Sequence, residues 1–393
     1  MLFNFEVKSA LLLLCFLHGC LFAILLAVKS RRDDDPAAGW LSLFSALAAL
    51  YIAPFMLGYA GWYGTPGYRQ VLFYVPFQQL LALPPVLYFY FQALLDRSFR
   101  FRPVHVLHLV PAGLYLLYSL YMWLADAWLL PQPRYYADGR DRDFDAWYQL
   151  AGFGWLLAYL LACLRLYRRY RTATRQQLSY ADAVRFSWAG RFLYALGLLL
   201  ALRLAFFVLN PEWGQFGRKF WYYGCFGVLL YYISLSGYLN TIRSAVALQP
   251  APPLPAPHLA ASSTEAVPAV LPDDLYQWKT ALEQLMDQRQ PYTNATLTVQ
   301  DLADQLGLHP KKLSALINAG YGQNFNDYIN QYRTRAVLAK MAAGEHNLQT
   351  LMGLAYDAGF NSKSTFNRAF LRVMGTTPKA YLEKYHPKSS VKS

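Results

Sequence analysis

The strongest constraint on this chain is a series of apolar, nearly uncharged runs that fill most of the sequence before Arg243. Crossing a bilayer takes about 20 consecutive, mostly apolar residues. The helix forms because no water is at hand to satisfy backbone N–H and C=O groups in the hydrocarbon. Seven stretches meet that requirement: 9–28, 38–57, 71–95, 104–125, 147–166, 188–209 and Phe220–Leu239. They predict an all-α chain that begins with a seven-helix transmembrane bundle over residues 1–243. Pro84-Pro85 inside the third stretch predict a kink, because proline removes a donor and crowds the preceding turn. Trp40, Tyr59, Trp62, Trp123, Trp128, Trp147 and Trp221 cluster near the span ends, as an interfacial belt would.

Charged residues make up 15 % of the chain, against about 25 % in soluble domains. The shortfall lies in the first part; beyond Asp273 the composition is that of an ordinary soluble domain. The chain is therefore two physical objects in series. The four cysteines, Cys15, Cys20, Cys163 and Cys225, stand in apolar runs with no C-x-x-C pair and no histidine cluster. They read as small buried hydrophobes, not as a disulfide framework or zinc site, and no cofactor is expected.

Orientation follows from the basic residues of the connectors. The first carries Lys29, Arg31 and Arg32; the third Arg97, Arg100 and Arg102; the fifth Arg165, Arg168, Arg169, Arg171, Arg175 and Arg185. In the fourth, Arg134, Arg140 and Arg142 are offset by five aspartates between Asp126 and Asp145. The odd connectors are thus expected in the cytoplasm of a bacterium, with the chain in the inner membrane and in contact with lipid. The N-terminus is expected outside and the part after the spans inside. The first span has little positive charge ahead of it and three basic residues after it, the reverse of a secretory signal, and is kept as a span.

Ionisable residues inside spans are functional candidates. Arg203 in the sixth and His18 in the first are the candidate signal-sensing residues; His105 and His108 lie near the start of the fourth. Bland readings stand beside these: Arg203 could snorkel to the nearby outer end or pair with Glu212, and each histidine could bond to backbone. A retinal pigment is disfavoured, since the spans hold no interior lysine for a Schiff base.

Residues 244–272 hold seven prolines among Ala and Ser and read as a semi-rigid spacer. Residues 273–393 form the second domain. A helix over 273–290 presents Leu275, Trp278, Leu282 and Leu285 as one apolar face, to pack on that domain or, as the alternative, to form a dimer seam.

Two segments then repeat one logic. In the first, about 298–318, Thr298 and Asp301 resemble a capping box, and Leu302, Ala303 and Leu306 face inward. Gly307 ends the helix where a positive φ is needed, and Pro310 opens a second helix with Leu313, Leu316 and Ile317 buried. Lys311, Lys312, Ser314 and Ala315 face outward. In the second, about 348–374, Ala355 and Gly359 keep the spacing of Ala303 and Gly307. Phe360, Phe366 and Phe370 form its core. Asn361, Lys363, Ser364, Thr365, Asn367, Arg368 and Arg372 are its polar outward residues. Helix, glycine turn, helix is the helix-turn-helix pattern. A helix over 324–342, with Phe325, Tyr328, Ile329, Tyr332, Ala336 and Leu338 inward, would join the two units. From Phe360 onward Lys363, Arg368, Arg372, Lys379, Lys384, Lys388 and Lys392 face Glu383 alone, which suits a polyanion.

The run Ala358-Gly-Phe-Asn-Ser-Lys-Ser-Thr-Phe-Asn-Arg-Ala-Phe370, followed by Gly375-Thr-Thr-Pro-Lys-Ala-Tyr381, resembles the signature of the AraC/XylS family of transcription regulators. The likeness covers about 282–388. It implies two helix-turn-helix units on a connecting helix, binding double-stranded promoter DNA, commonly as a homodimer, with RNA polymerase a further partner. By position Ala355, Gly359, Phe360, Phe366, Phe370, Gly375, Pro378 and Tyr381 match the family's structural residues. The recognition helices carry over as 310–318, from Pro310 to Asn318, and 362–373, from Ser362. Arg368 and Arg372 are expected on phosphates; Asn361, Lys363 and Thr365 are better placed for base edges or nearby backbone. Where soluble members carry a cupin-like effector domain this chain has its apolar half. That resembles multi-span sensors joined to AraC-type tails, with a sensed ligand not readable from the residues.

The reading is a membrane-bound, sequence-specific DNA-binding regulator, not an enzyme. The alternative is a membrane transporter or enzyme carrying a DNA-binding tail. No H-E-x-x-H, G-x-S-x-G or Walker loop is present, and no paired carboxylates lie within spans.

Overall fold

A computed structural model describes residues 4–96, 98–131, 142–181, 186–209, 219–239 and 272–385. Residues 244–271 of the expected spacer lie outside these, as do Glu212, Lys388 and Lys392. Among the described residues every regular element is helical, apart from one isolated bridge between Leu178 and Thr298. The chain divides into two compact units, Met1–Arg168 with Phe186–Ala247, and Arg169–Arg185 with Leu248–Ser393.

In the first unit, α1 (Val7–Arg32) and α2 (Pro36–Tyr59) match the first two predicted spans. They pack antiparallel through small residues: a Cβ on Gly19 would stand 2.9 Å from that of Ala49. Small residues let the two helix backbones approach this closely. Asp35 caps α2 by accepting from the Ala37 amide at 3.0 Å.

The third predicted span is not one kinked helix. The chain forms α3 (Pro66–Leu72), leaves helical geometry, and resumes as α4 (Leu83–Leu95). Pro84 and Pro85 occupy the first turn of α4, where no donor is needed, so they start a helix instead of bending one. The open backbone between is satisfied by neighbours. The Gln78 amide donates to Asp143 at 2.8 Å, the Leu80 amide to the Tyr148 hydroxyl at 3.1 Å, and that hydroxyl to the Gln78 carbonyl at 2.6 Å. Buried backbone groups outside helical geometry need such partners.

The fourth predicted span begins as a 3-10 stretch, Pro103–Leu109, continues as α5 (Val110–Leu124) and closes with a π turn at Ala125–Leu129. Then follow α6 (Ala146–Gln177), α7 (Ser187–Leu209) and α8 (Phe220–Leu239). Among the described residues five helices are long and apolar enough to cross a membrane, by length and composition: Val7–Arg32, Pro36–Tyr59, Pro103–Leu129, Ala146–Gln177 and Ser187–Ala205. Two of the seven expected stretches fall short of that measure. The third stretch is broken, leaving α4 only 13 residues, and α8, though 20 residues long, is weighted with tyrosine. The cysteines also differ from expectation: Cys163 is buried, Cys15 and Cys20 are half-buried and Cys225 is exposed.

α8 lies parallel to α1 and antiparallel to α2. Gly227 faces Cys15 and Gly237 faces Leu41; farther along α1, the Lys29 ammonium donates to the Tyr238 carbonyl at 2.6 Å. At the other end Tyr59 meets Phe220 edge to face.

The second unit holds α9 (Pro272–Arg289), α10 (Val299–Leu306), α11 (Pro310–Tyr321), α12 (Phe325–Ala342), α13 (Leu351–Asp357), α14 (Lys363–Met374) and α15 (Pro378–Tyr385). Two apolar cores share α12. One gathers Leu282 and Met286 of α9 with Leu302, Leu313, Leu316, Ile317, Phe325 and Ile329; α9 is thus packed on this unit. The other gathers Val337, Met341, Leu354, Ala355, Phe360, Phe366 and Phe370. The last residues of α6 and the turn after it, within 169–185, belong to this unit too.

Candidate nucleic-acid interface

Each helix-turn-helix is assembled by caps. Thr298 and Asp301 form the reciprocal box: the Asp301 amide donates to the Thr298 hydroxyl at 3.2 Å and the Thr298 amide to the Asp301 carboxylate at 2.8 Å. Gly307 ends α10 at φ +65°, a conformation that favours glycine. Pro310 then opens α11, whose Lys311 amide donates to His309 Nδ1 at 3.2 Å. In the second unit Thr350 caps α13 and Ser362 caps α14, accepting from the Gly353 and Thr365 amides at 3.1 and 3.2 Å.

The turn of the second unit is constrained from outside. Gly359 has φ +92°, and a Cβ there would stand 2.3 Å from the Tyr292 carbonyl oxygen. The second turn is therefore seated against the 3-10 turn Pro291–Thr293 that precedes α10.

The predicted contact residues separate by exposure. Lys311, Asn318, Asn361, Lys363, Ser364, Asn367, Arg368 and Arg372 are exposed, while Pro310, Lys312, Ser314 and Ser362 are half-buried. Thr365 is 2 % exposed, and its hydroxyl lies 2.8 Å from that of Ser362; it is part of the α14 cap and does not reach the surface. Lys312 stands over the Trp278 ring of α9, 5.5 Å from the centroid. Arg372 is ion-paired with Asp327 of α12, so it ties the recognition helix to the connecting helix. One helical face of α14 thus presents Lys363, Ser364, Asn367 and Arg368, and the opposite face buries Phe366 and Phe370. A polar, net-basic helix face backed by a rigid core can enter a major groove.

Reading the residues missed a buried polar cluster on α12. Arg333 is 1 % exposed. Its guanidinium donates to the carbonyls of Tyr292 and Asn294, both at 2.7 Å, to the Ser179 hydroxyl at 3.0 Å and to the Ser179 carbonyl at 3.3 Å. These acceptors are neutral, and burial holds the guanidinium down at about 10. Asn326 donates to the carbonyls of Leu178 and Ser179 at 3.2 and 2.8 Å, and the Ser179 amide donates to the Leu297 carbonyl at 3.1 Å. The turn after α6 is thereby held on α12 and on the strand-like start of α10. A signal was there to be read: Phe325, Ile329, Arg333, Val337 and Met341 repeat every four residues, and one of them is a cation.

Of the candidate sensing residues, His18 is 9 % exposed. Its Nε2 lies 2.7 Å from the Ser234 hydroxyl and its ring stacks on Tyr231, so it is part of the α1–α8 joint. Arg203 donates to the Gln149 side-chain oxygen at 2.9 Å and to the Tyr222 hydroxyl at 3.4 Å. The two are not brought together. Among the described residues no cluster of His, Cys, Asp or Glu could hold a metal ion.

Residues 302–384 match the family model of the helix-turn-helix domain. The second unit carries a helix-turn-helix domain. The chain is also similar to a protein of Streptomyces lividans bearing the name of an AraC-like transcription regulator, 32 % identical over 90 residues. That stretch is 23 % of this chain and 28 % of the relative's length. No solved structure matches the chain.

Proposed function

We propose that the chain is a membrane-bound transcription regulator that binds promoter DNA through its paired helix-turn-helix units. The carrying observation is the pair of capped units built on one buried helix, with the exposed basic face of α14 outward. The likeness to an AraC-like regulator supports the same reading. The two domains would meet in the spacer 244–272, with the DNA-binding domain at 273–393. Lys311, Lys312, Ser314, Asn318, Asn361, Lys363, Ser364, Asn367 and Arg368 are the proposed contact residues. Homodimerisation and contact with RNA polymerase belong to the same proposal.

The first 243 residues would form the sensing half in the inner membrane, with α8 counted as a span and α4 completing the bundle. Parallel α1 and α8 support an N-terminus outside and a DNA-binding domain in the cytoplasm, because both helices end toward the Lys29–Arg32 side. In this arrangement α6, one unbroken helix from Ala146 to Gln177, leads into the turn held by Arg333 and is the natural conductor of a signal. A two-state element with different DNA affinity in each state is what such regulation requires.

The test is binding of genomic duplex fragments by the full chain in nanodiscs. Retention of particular promoters, with affinity falling steeply as salt rises, is expected. Absence of binding to any duplex at low salt overturns the proposal.

A further inference from the structure

An open cleft in the second unit lies between the end of α6, α12 and α14. Arg175 of α6 lines it together with Asp327 of α12 and with Arg368 and Arg372 of α14; the other lining residues are uncharged. Asp327 is committed elsewhere. One of its carboxylate oxygens is ion-paired with Arg372, and the other accepts from the Asn324 side-chain amide at 2.9 Å. Arg175, half-buried, has neither an ion pair nor a side-chain hydrogen bond among the described residues.

The cation is also held in place. Asn326 donates to the Leu178 and Ser179 carbonyls, and Arg333 to the Ser179 hydroxyl, so the residues just past Arg175 are fixed on α12. A half-buried guanidinium without a counter-charge gives up hydration and gains no partner from the protein in return. It suits a ligand that brings two oxygens and a negative charge, as a phosphate diester does. Its position beside α14 says which phosphate. Arg368 lies on the exposed face of α14 with Lys363, Ser364 and Asn367, and the strand that borders a groove entered by α14 passes along the flank of that helix.

We propose that Arg175 is a further phosphate contact, so that the DNA-binding surface extends from α14 onto the end of α6. This rests on the regulator reading above. It adds a cation from outside both helix-turn-helix units, on a helix that runs without a break from the first unit into the second. DNA affinity then depends on where the end of α6 is held.

The full chain in phosphatidylcholine nanodiscs is titrated with a promoter duplex that it retains and with a scrambled duplex of equal length, at several salt concentrations. Arg175→Gln is expected to weaken binding to both about tenfold at ~0.1 M salt, to lower the salt slope by about 1, and to match wild type at ~1 M. Arg175→Lys keeps the charge and is expected to keep the slope and most of the affinity. Arg169 is exposed, and it lies roughly 120° around α6 from Arg175. Arg169→Gln is expected to leave slope and affinity as they are. An unchanged slope in Arg175→Gln overturns the contact while the regulator reading stands. So does an equal fall in Arg169→Gln, which marks a diffuse field, or an equal loss of affinity in Arg175→Lys, which marks a structural role. Absence of binding by the wild-type chain to any duplex at low salt overturns the regulator reading, and this contact with it.

Discussion

Arg333 of α12 donates to the hydroxyl of Ser179 at 3.0 Å, although the two residues are 154 positions apart. Ser179 follows the long helix α6, and Arg333 sits in the middle of the helix that both helix-turn-helix units share. The same guanidinium also holds the Tyr292 and Asn294 carbonyls. One side chain thus links the connector after α6, the turn before α10 and the connecting helix.

Arg333→Ala should destabilise the second unit by about 3 kcal/mol, since two or more buried acceptors each lose a donor at roughly 1–3 kcal/mol. Ser179→Ala should cost about 1 kcal/mol and act locally. Hydrogen exchange on the full chain is the measure. Arg333→Ala should lower protection along α12, and Ser179→Ala chiefly around residues 294–298. Wild-type protection in both variants would show that the contact holds nothing.

Gly359→Ala should be the most damaging glycine substitution in the second unit, at roughly 2–4 kcal/mol, because a strained φ and a backbone collision add together. Gly375, at φ +68° with nothing near its would-be Cβ, should cost about 1 kcal/mol when replaced by alanine. Thermal unfolding of the two variants side by side gives the comparison. Equal losses would mean that the contact with Tyr292 is not what restricts the turn.

On the recognition helix, Arg368→Ala should weaken binding to all duplexes alike and lower the salt slope by about 1. Asn361→Ala should instead alter preference at one base pair, by about 1–3 kcal/mol. Thr365→Ala should change stability more than affinity, because its hydroxyl serves the α14 cap. Titrations at several salt concentrations distinguish these outcomes; a sequence-dependent loss for Arg368→Ala would move it from phosphate to base.

The parallel course of α1 and α8 makes a topological prediction. A cysteine at Asn4 should be labelled by an impermeant maleimide in intact cells, and one at Tyr276, which is 77 % exposed, only after lysis. Labelling of both from the same side would refute the orientation.

The second unit was largely legible in the residues. Thr298 with Asp301, Gly307, Pro310, Phe366 and Phe370 act through local rules of capping, turn geometry and helical period, and such rules can be read from spacing alone. The broken third span was less legible: Pro84-Pro85 show that something happens there, but not whether a helix bends or begins. Tertiary neighbours decided it: Asp143 and Tyr148, about 65 and 70 positions away, bond to the Gln78 amide and carbonyl and so hold the open backbone there. Thr365 looked like a surface residue because its neighbours are polar; its burial depends on the angle at which α14 seats on α12.

By itself, then, the sequence determined an all-helical chain in two parts, an apolar one and one with paired helix-turn-helix units, because apolar period, caps and turns are local properties. Tertiary structure alone decided that α8 runs alongside α1, that Arg175 and Arg368 share a cleft, and that Ser179 closes on Arg333. Those relations join residues far apart in the chain, and they depend on the packing of helices whose individual patterns carry no record of their partners.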